Sequence, residues 1–420
     1  MQRTDRAAMN KRIAVDELRP GMRVVAIDRS WLVTPFLSHR LTIASREQVE
    51  QLKACGVQSV EIAADDVDGA GNEQIRQDEC DRSTEEGGEA VSVQPAADVS
   101  SEPASFDEEL KTAKEVYRAA KAVIQGAMQD VRLGRAINME DVNRVVSDMA
   151  ESVLRNLDAL TSLSRLKRFD EYTFYHSVNT SLLAMSLGRD LGFTKHELHQ
   201  IGVGALLHDI GKTKIPNELL NKPGRFEPDE MELMKQHVLR GVEVLSNTTG
   251  LAEVYAKPAL EHHERVDGSG YPFGRSKDEL SRFGLIASIV DIYDAITSDR
   301  CYHRGRPPHD ALQYLYLISI KGHLDAELVQ RFIRVVGVYP VGSLVELNTG
   351  EVAVVRRVHR DAPLAPLVII VKSASNVLLS KPIECDLREE TRISGRTIRT
   401  VKGPHDVGVD PGVYLDEEPI

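Results

Sequence analysis

The feature that most constrains the fold of this chain is a long stretch with helix-type spacing of apolar residues. Between Glu109 and about Val338, apolar residues recur at i, i+3, i+4 and i+7, as in LKTAKEVYRAAKAVIQGAMQDV and VNRVVSDMAESVLRNLDALTSL. This period places apolar side chains on one face of an α-helix, and Gly and Pro separate the successive segments. We therefore predict a mainly α protein with an all-helical domain over residues 109–339.

A shorter module with strand-like patterns precedes the helical region. Residues 1–62 contain IAVDELRPGMRVVAI, an alternating pattern that is interrupted at Pro20-Gly21, and later the strand-like VQSVEI. Between them, SREQVEQLKAC predicts a short helix that a capping box of Ser45 and Gln48 would open. We expect a small α+β module.

A second short module follows the helical region. GSLVELNTGEVAVVRRV predicts a β-hairpin with its turn near Asn348, and LVIIV predicts another strand. The last residues are rich in Pro and Gly. We therefore expect a small β appendage with a loose tail over residues 340–420.

The acidity of the chain belongs to one segment, residues 63–108. From Ala63 to Glu109 there are fifteen Asp and Glu against two Arg, which accounts for the net charge of −12. Such a segment buries too little apolar surface to offset its ordering entropy, so we predict a disordered linker, with an acidic interaction tail as the alternative. The folded parts are near neutral and lack a basic and aromatic stripe, so we expect no nucleic acid polymer as partner.

Cysteine usage and hydropathy indicate the compartment. The four cysteines are widely separated and form no CxxC pair, which suits a reducing compartment. The first residues, MQRTDRAAMNKR, have no apolar run behind them, so we expect no signal peptide. No stretch approaches the roughly 20 apolar residues of a membrane span. We expect a soluble, cytoplasmic protein.

The segment ALLHDIGKTKIP carries the first candidate site. An apolar helix leads directly to His208 and Asp209, a pair that is costly to bury unless it binds something. Neighbouring helical residues point about 100° apart, so both can approach one ion, or Asp209 can bridge two ions. The alternative is a hydrogen-bonded core couple.

The segment EHHERVDGSGYP carries the second candidate site. His262 and His263 are adjacent imidazoles, a common metal-binding pair, and a Gly-rich loop follows them. The alternative is a polar surface turn.

Three further residues are weaker candidates when they are taken singly. His176 begins the helix HSVNTSLLAMSLGRDLG and His237 lies in ELMKQHVLRGVEVL, and isolated histidines at helical spacing are ordinarily not ligands. Asp291 lies within GLIASIVDIYDAITSDR, where an unpaired carboxylate is expensive, and Asp294 shares its side of the helix.

Together these residues form a mixed imidazole and carboxylate set within one helical domain. No thiolate takes part, which argues against a structural zinc site. The set suits two first-row divalent ions such as Fe or Mn, with Asp209 shared and water completing the coordination. The candidate metal ligands are His176, His208, Asp209, His237, His262, His263 and Asp291.

The strings HD, GK and HHExxDGxGYP, together with the distal Asp291, resemble the HD-GYP family, a branch of the HD phosphohydrolases. The resemblance covers roughly residues 155–335, and the long HHERVDGSGYP string is its most specific part. RPGM and RSWLVTPF near the N-terminus also resemble a domain often found ahead of HD-GYP domains. The family implies an all-helical fold and metal-dependent hydrolysis of cyclic di-GMP to pGpG or onward to GMP, in bacterial second-messenger signalling.

The resemblance also implies roles for single residues. A hydroxide activated by two metals would attack phosphorus in line, with His208, Asp209 and Lys212 as the catalytic residues and Lys212 on a substrate phosphate. One metal would be held by His176, His208, Asp209 and Asp291. The other would be held by Asp209, His237, His262 and His263.

Substrate contacts are assigned to two loops. Gly270, Tyr271 and Pro272 would shape the loop beside the site, where Tyr271 either stacks on a guanine or anchors the loop. Three arginines after the Asp291 helix would hold the second phosphate, or else form a solvated basic loop. These are Arg300, Arg304 and Arg306.

The chain departs from the family pattern in two places. Some members bind a third metal through a Glu one turn before the first His, where this chain has Tyr172, while Glu171 is about 140° from His176 around a helix. We therefore predict two metals. The DRPY string appears here with Cys301 in place of Pro.

Two other functions stay open from the sequence. One is a non-catalytic receptor for cyclic di-GMP, and the other is a hydrolase of a different cyclic dinucleotide. A homodimer, paired through the long helices between residues 109 and 168, and a signalling partner protein also stay open.

Overall fold

The computed structural model describes residues 11–27, 41–43, 46–54, 57–62, 106–163, 172–222, 224–298, 305–359 and 361–415. These residues belong to two compact units, Met1–Ser101 and Glu102–Ile420.

The first unit is a small antiparallel sheet with one helix, in agreement with the predicted α+β module. Its strands are β1 (Lys11–Ala14), β2 (Arg23–Ile27), β3 (Leu41–Thr42) and β4 (Ser59–Ile62), and its helix is α1 (Arg46–Ala54). The sheet order is β1-β4-β2-β3. Leu52 of α1 packs with Ile13 and Val60 of the sheet in one apolar cluster. The predicted capping residue Ser45 lies outside the described residues.

The second unit contains the predicted helical domain. Its helices are α2 (Phe106–Arg132), α3 (Met139–Arg155), α4 (Leu157–Leu163), α5 (Tyr172–Asp190), α6 (Lys195–Leu207), α7 (Asn217–Leu220), α8 (Pro228–Ser246), α9 (Lys257–Glu261), α10 (Arg282–Thr297), α11 (Pro308–Ile320) and α12 (Ala326–Val336). A 3-10 segment, Ile210–Lys214, follows α6.

Local sequence explains where several of these helices begin. The side chain of Asn138 accepts the N–H groups of Glu140 and Asp141 at the start of α3. Thr194 and Glu197 form a capping box at the start of α6. The second long helical pattern is divided in the structure, because α3 ends at Arg155, Asn156 is extended, and α4 begins at Leu157.

Helix α5 lies at the centre of the unit and packs against α2, α3, α4, α6, α10 and α12. Several of its hydroxyl groups are buried; three of them donate to backbone carbonyls, whereas Ser177 Oγ is without a hydrogen-bond partner among the described residues. Thr180 donates to the carbonyl of His176, Ser181 to that of Gly202 and Ser186 to that of Leu182. These bonds let a helix with polar residues on several sides lie in the core.

An ion pair between a buried glutamate and a partly exposed arginine joins α2 to α3, and its removal should destabilise the protein. Glu109 is 3% exposed and accepts hydrogen bonds from Ser152 Oγ at 2.6 Å and Arg155 Nε at 2.8 Å. Glu109→Ala removes the acceptor of the buried Ser152 hydroxyl and leaves Arg155 with only a 3.9 Å contact to Glu151, so we expect the free energy of unfolding in urea to fall by about 2 kcal/mol. Lys195→Ala, which removes an exposed pair with Glu151, should change it by at most about 0.5 kcal/mol. Equal losses in the two variants would contradict this assignment.

The chain then forms an antiparallel sheet in the order β8-β7-β6-β5-β9. The strands are β5 (Leu344–Leu347), β6 (Val352–Arg357), β7 (Leu367–Lys372), β8 (Leu378–Asp386) and β9 (Ile398–Lys402), with a short helix α13 (Leu387–Ile393) before β9. Strands β5 and β6 form the predicted hairpin, and Gly350 adopts a φ of 87° in its turn.

The expected loose tail is largely ordered. Helix α14 (Pro404–Val407) and a 3-10 turn at Pro411–Tyr414 follow β9. Val407 and Val409 are buried in the apolar cluster of this sheet. The Pro and Gly residues therefore form tight turns here, and the two buried valines anchor the segment to the sheet. Residues 416–420 lie outside the described part of the chain.

Within the described residues, no helix is both long enough and apolar enough to cross a membrane.

Candidate metal centre

Five elements bring the candidate ligands together. His176 lies in the first turns of α5, His237 in α8 and Asp291 in α10. His208 and Asp209 follow the last residue of α6, and His262 and His263 follow the last residue of α9. All of these side chains are buried except that of His263, which is partly exposed.

The ligand atoms form three overlapping groups, in each of which all atoms lie within 4.8 Å of one another. The structure thus brings together all seven residues singled out from the sequence. The groups are His176, His208 and Asp291; His208, Asp209 and His262; and His237, His262 and His263.

The Asp209 carboxylate lies at the centre of the cluster. Its Oδ2 is 3.5 Å from His176 Nε2 and 3.4 Å from His208 Nε2. Its Oδ1 is 3.5 Å from His237 Nε2 and 3.8 Å from His262 Nε2. Each oxygen therefore faces a different pair of imidazoles, which is the arrangement that a bridging carboxylate requires.

The tautomers of four histidines follow from their hydrogen bonds. In each of them Nδ1 lies against an oxygen that can only accept, so Nδ1 carries the proton and Nε2 presents a lone pair. The Nδ1 partners are Asp294 Oδ2 at 2.8 Å for His176, the Ala205 carbonyl at 2.7 Å for His208, the Met234 carbonyl at 2.7 Å for His237 and the Pro258 carbonyl at 2.9 Å for His262.

The Nε2 lone pairs converge on a region that contains few hydrogen-bond donors. The Nε2 atoms of His237 and His262 are 3.5 Å apart, and neither of them has a proton to donate to the other. Among the described residues, His208 Nε2 and Asp209 Oδ1 are buried without a hydrogen-bond partner. Buried acceptors of this kind cost free energy unless a cation or a donor lies between them. The residues present therefore fit a metal site.

Protonation states agree with this chemistry. Burial, and then the neighbouring His208, lower the pKa of His262 to about 3. Burial also lowers the pKa of His237 and of His263. Near neutral pH these imidazoles are neutral, as metal ligands must be.

The carboxylates are ionised. Burial acts to raise the pKa of Asp209, but the charge of Lys212 and the nearby imidazoles hold it well below its usual value. The pKa of Asp291 is likewise lowered against the effect of burial, by the neighbouring imidazoles of His176 and His208.

Lys212 lies at the edge of the cluster, in the 3-10 segment after α6. Its ammonium donates to Asp209 Oδ2, and its side chain is 29% exposed. The charge is thus held between the buried carboxylate and the surface.

The loop with Gly270, Tyr271 and Pro272 lies against the cluster. The Tyr271 ring stacks on the His263 ring with centroids 4.6 Å apart, and Lys235 Nζ lies 5.5 Å from the centroid of the Tyr271 ring. The peptide bond between Tyr271 and Pro272 is cis. One face of the Tyr271 ring is therefore occupied by a candidate ligand, which favours the loop-anchor interpretation over guanine stacking on that face.

Two buried glutamates that received no role from the sequence hold this loop. Glu264 accepts the backbone N–H groups of Phe273 at 2.8 Å and Arg275 at 3.1 Å. Glu261 accepts the backbone N–H of Ser281 at 2.9 Å and the guanidinium of Arg275 at 3.2 Å. The sequence shows that both glutamates flank the two histidines, which could have suggested a role for them. Their partners lie 9 to 20 residues further along the chain, so the sequence does not show what they bind.

Some expectations fall on residues that the structure does not describe. Arg300, Arg304, Cys301 and Glu171 lie outside the described residues, as does the side chain of Tyr172. The phosphate contacts and the absence of a third metal therefore stay predictions. Arg306 is described, and its guanidinium lies over the ring of Tyr314, 5.1 Å from the centroid.

Comparison with protein families gives three matches. A model described as HD domain matches residues 144–328. A model described as Domain of unknown function (DUF3391) matches residues 10–142, and one described as KOW domain associated with HD domain matches residues 344–394.

Several curated proteins are similar in sequence. The chain is 35% identical over 370 residues to the protein named Cyclic di-GMP phosphodiesterase PA4108 of Pseudomonas aeruginosa, covering 87% of this chain and 86% of that protein. It is 36% identical over 179 residues to a protein named Cyclic di-GMP phosphodiesterase of Thermotoga maritima, covering 42% of this chain and 48% of that protein. It is 32% identical over 203 residues to 3'3'-cGAMP-specific phosphodiesterase 2 of Vibrio cholerae, covering 47% and 37% respectively.

Proposed function

Because this chain belongs to the HD-GYP family of HD-domain proteins, we propose that it is a metal-dependent phosphodiesterase that hydrolyses cyclic di-GMP. Linear pGpG is the first product, and a second cleavage in the same site gives GMP. The observation that carries this proposal is the convergence of the imidazole Nε2 lone pairs on the Asp209 carboxylate.

We propose that this cluster would hold two metal ions, with the ligand sets that the family resemblance implies. His176, His208, Asp209 and Asp291 would hold the first ion, and Asp209, His237, His262 and His263 would hold the second. Bound Fe or Mn ions supply Lewis-acid activation of water and stabilise charge on the phosphoryl oxygens.

The chain itself supplies orientation and charge. Backbone carbonyls and Asp294 hold each Nδ1 proton, so the imidazoles cannot turn their lone pairs away from Asp209. The Lys212 ammonium, next to Asp209, stabilises negative charge on a phosphoryl oxygen in the transition state. Arg300 and Arg304 are proposed to hold the second phosphate.

A second candidate substrate is another cyclic dinucleotide. It is favoured by the similarity to the Vibrio cholerae protein named for 3'3'-cGAMP. A non-catalytic receptor for cyclic di-GMP is the remaining alternative. The complete set of seven candidate ligands argues against it, because a receptor that only binds does not need all of them.

The proposal predicts turnover by the purified full-length chain loaded with Mn²⁺, or with Fe²⁺ in the absence of oxygen. Cyclic di-GMP, 3'3'-cGAMP and cyclic di-AMP are each incubated with the enzyme, and the products are separated by liquid chromatography. We expect cyclic di-GMP to be cleaved fastest, with pGpG appearing first. Binding of cyclic di-GMP by calorimetry without any cleavage would support the receptor instead, and faster cleavage of 3'3'-cGAMP would change the substrate.

We also propose the wider organisation of the chain. The helical domain over residues 109–339 carries the activity, the module over residues 1–62 and the linker over 63–108 connect it to a signal, and residues 340–420 form an accessory module. Action in the cytoplasm, as part of second-messenger signalling, is part of this proposal.

A further inference from the structure

Helix α2 belongs to two regions of the chain at once. The DUF3391 match over residues 10–142 includes this helix, whereas the compact unit that contains it begins at Glu102. In the structure α2 packs against α5, which carries His176, and against the 3-10 segment that carries Lys212. A helix that is matched together with the N-terminal module therefore lies against elements of the metal cluster.

A buried chain of hydrogen bonds runs from α2 to a candidate metal ligand. Tyr117 Oη donates to Asn179 Oδ1 at 2.7 Å, and Asn179 Nδ2 donates to Asp294 Oδ1 at 3.0 Å. The other carboxylate oxygen of Asp294 accepts the Nδ1 proton of His176 at 2.8 Å. Tyr117 and Asn179 are 0% exposed and Asp294 is 1% exposed, so water does not compete for these bonds.

The direction of this chain is set at its carboxylate end. An ionised Asp294 can only accept, so Asn179 must turn its amino group toward it and its carbonyl toward α2. That carbonyl needs a donor, and the Tyr117 hydroxyl is the one that the structure provides. Burial, and then the charge of Asp294, raise the pKa of Tyr117 well above its usual value, which keeps the hydroxyl protonated.

We propose that Tyr117 is a positioning residue for the metal cluster, which acts through Asn179 and Asp294 on the orientation of the His176 imidazole. Without the hydroxyl, the buried Asn179 carbonyl loses its donor and the amide no longer has a single preferred orientation. Asp294 then loses a fixed donor, and the His176 ring is held less firmly toward Asp209. A displacement of α2 would reach the metal cluster by the same route.

The matched control lies at the same interface. Tyr175 of α5 stacks on Tyr117, and its hydroxyl accepts a hydrogen bond from Lys121 Nζ of α2 at 3.1 Å. Tyr175→Phe therefore removes a hydroxyl between α2 and α5 that is not part of the chain to His176. Both substitutions keep the ring and its packing, so both variants should fold.

The test compares Tyr117→Phe, Tyr175→Phe and wild type as full-length chains. The Kd for Mn²⁺ is measured on metal-free protein by competition with a chelator, kcat and KM are measured with cyclic di-GMP, and Tm is measured in parallel. We expect Tyr117→Phe to weaken Mn²⁺ binding about tenfold and to lower kcat about tenfold. These effects are at the lower end of those found when a hydrogen-bond partner of a metal ligand is removed. KM should change by less than about twofold, because the substrate contacts are untouched. Tyr175→Phe should leave the Kd for Mn²⁺ and kcat as in wild type.

The possible outcomes distinguish a failure of this inference from a failure of the proposed function. Only the measurement of kcat and KM rests on the proposed function, because Mn²⁺ binding can be measured without turnover. Unchanged Mn²⁺ affinity in Tyr117→Phe would overturn the inference, as would an equal loss in Tyr175→Phe, since general loosening of the α2–α5 contact would then explain both. Weaker Mn²⁺ binding in Tyr117→Phe, in a chain whose wild type cleaves no cyclic dinucleotide, would support the inference and contradict the proposed function. A wild-type chain that binds no Mn²⁺ would contradict both.

Discussion

Replacing His208 and Asp209 together by alanine is expected to abolish hydrolysis of cyclic di-GMP and to remove most of the bound metal. Asp209 faces four imidazoles and His208 belongs to two of the three ligand groups, so the double variant dismantles both proposed metal sites. Metal ions contribute several kcal/mol to such reactions, and we expect kcat to fall by about a thousandfold or more. Steady-state kinetics measures the first effect, and elemental analysis of the purified protein measures the metal content.

The loss should not come from unfolding. Asp209 is buried and pairs with Lys212, so the change should lower Tm somewhat relative to metal-free wild type. Circular dichroism of the double variant, recorded below that Tm, should still show the helical content of metal-free wild type. His196→Ala, an exposed change on the same helix α6, is the control and should keep both metal and activity. Full metal content in the double variant would refute the assignment of the ligands.

Gly211→Ala is expected to have the second large effect, by separating α8 from the segment after α6. A Cβ atom at this position would lie 1.9 Å from the carbonyl oxygen of His237 and 2.4 Å from the backbone nitrogen of Gly241. Both of these atoms belong to the backbone of α8, so no side chain can rotate to make room. Helix α8 must move, and it takes His237 away from Asp209. We expect the free energy of unfolding to fall by about 3 kcal/mol, with weaker Mn²⁺ binding as a second effect.

Gly126→Ala is the matched control for this substitution. Gly126 lies within α2, and a Cβ atom there would meet nothing within 4 Å. Alanine should therefore stabilise the helix by roughly 0.5–1 kcal/mol. Urea denaturation of both variants and Mn²⁺ titration of the folded proteins test the prediction. A Gly211→Ala protein as stable as wild type would show that the contact between α8 and the 3-10 segment is not tight.

How far the candidate site could be predicted differs from residue to residue. His208 with Asp209, and His262 with His263, stand out because adjacent polar groups next to apolar helices need a partner. His176 and His237 carry no such local signal, and they became candidates only as members of the whole ligand set and through the resemblance to a family. The assignment of all seven to two metals stays a prediction, and so do the contacts of Arg300 and Arg304.

The same contrast holds for the fold. The mainly α fold, the small α+β module and the hairpin of β5 and β6 were predicted correctly, because apolar periodicity and turn residues act over short distances. The break between α3 and α4 at Asn156 and the order of the C-terminal tail were not predicted. Both depend on local hydrogen bonds or on apolar anchors that the composition does not indicate.

The sequence by itself determined which chemical groups this protein can bring to a metal, since ligand type and helical period are local properties. The available nitrogen of His208, His237 and His262 is also decided locally, by carbonyls three or four residues earlier, whereas only the tertiary structure decided it for His176. That choice depends on what the other nitrogen meets, and for His176 it meets Asp294, 118 residues further along the chain. Glu264 and Tyr117 show the same dependence, because a buried polar side chain acquires its role from the partner that folding brings within hydrogen-bond distance.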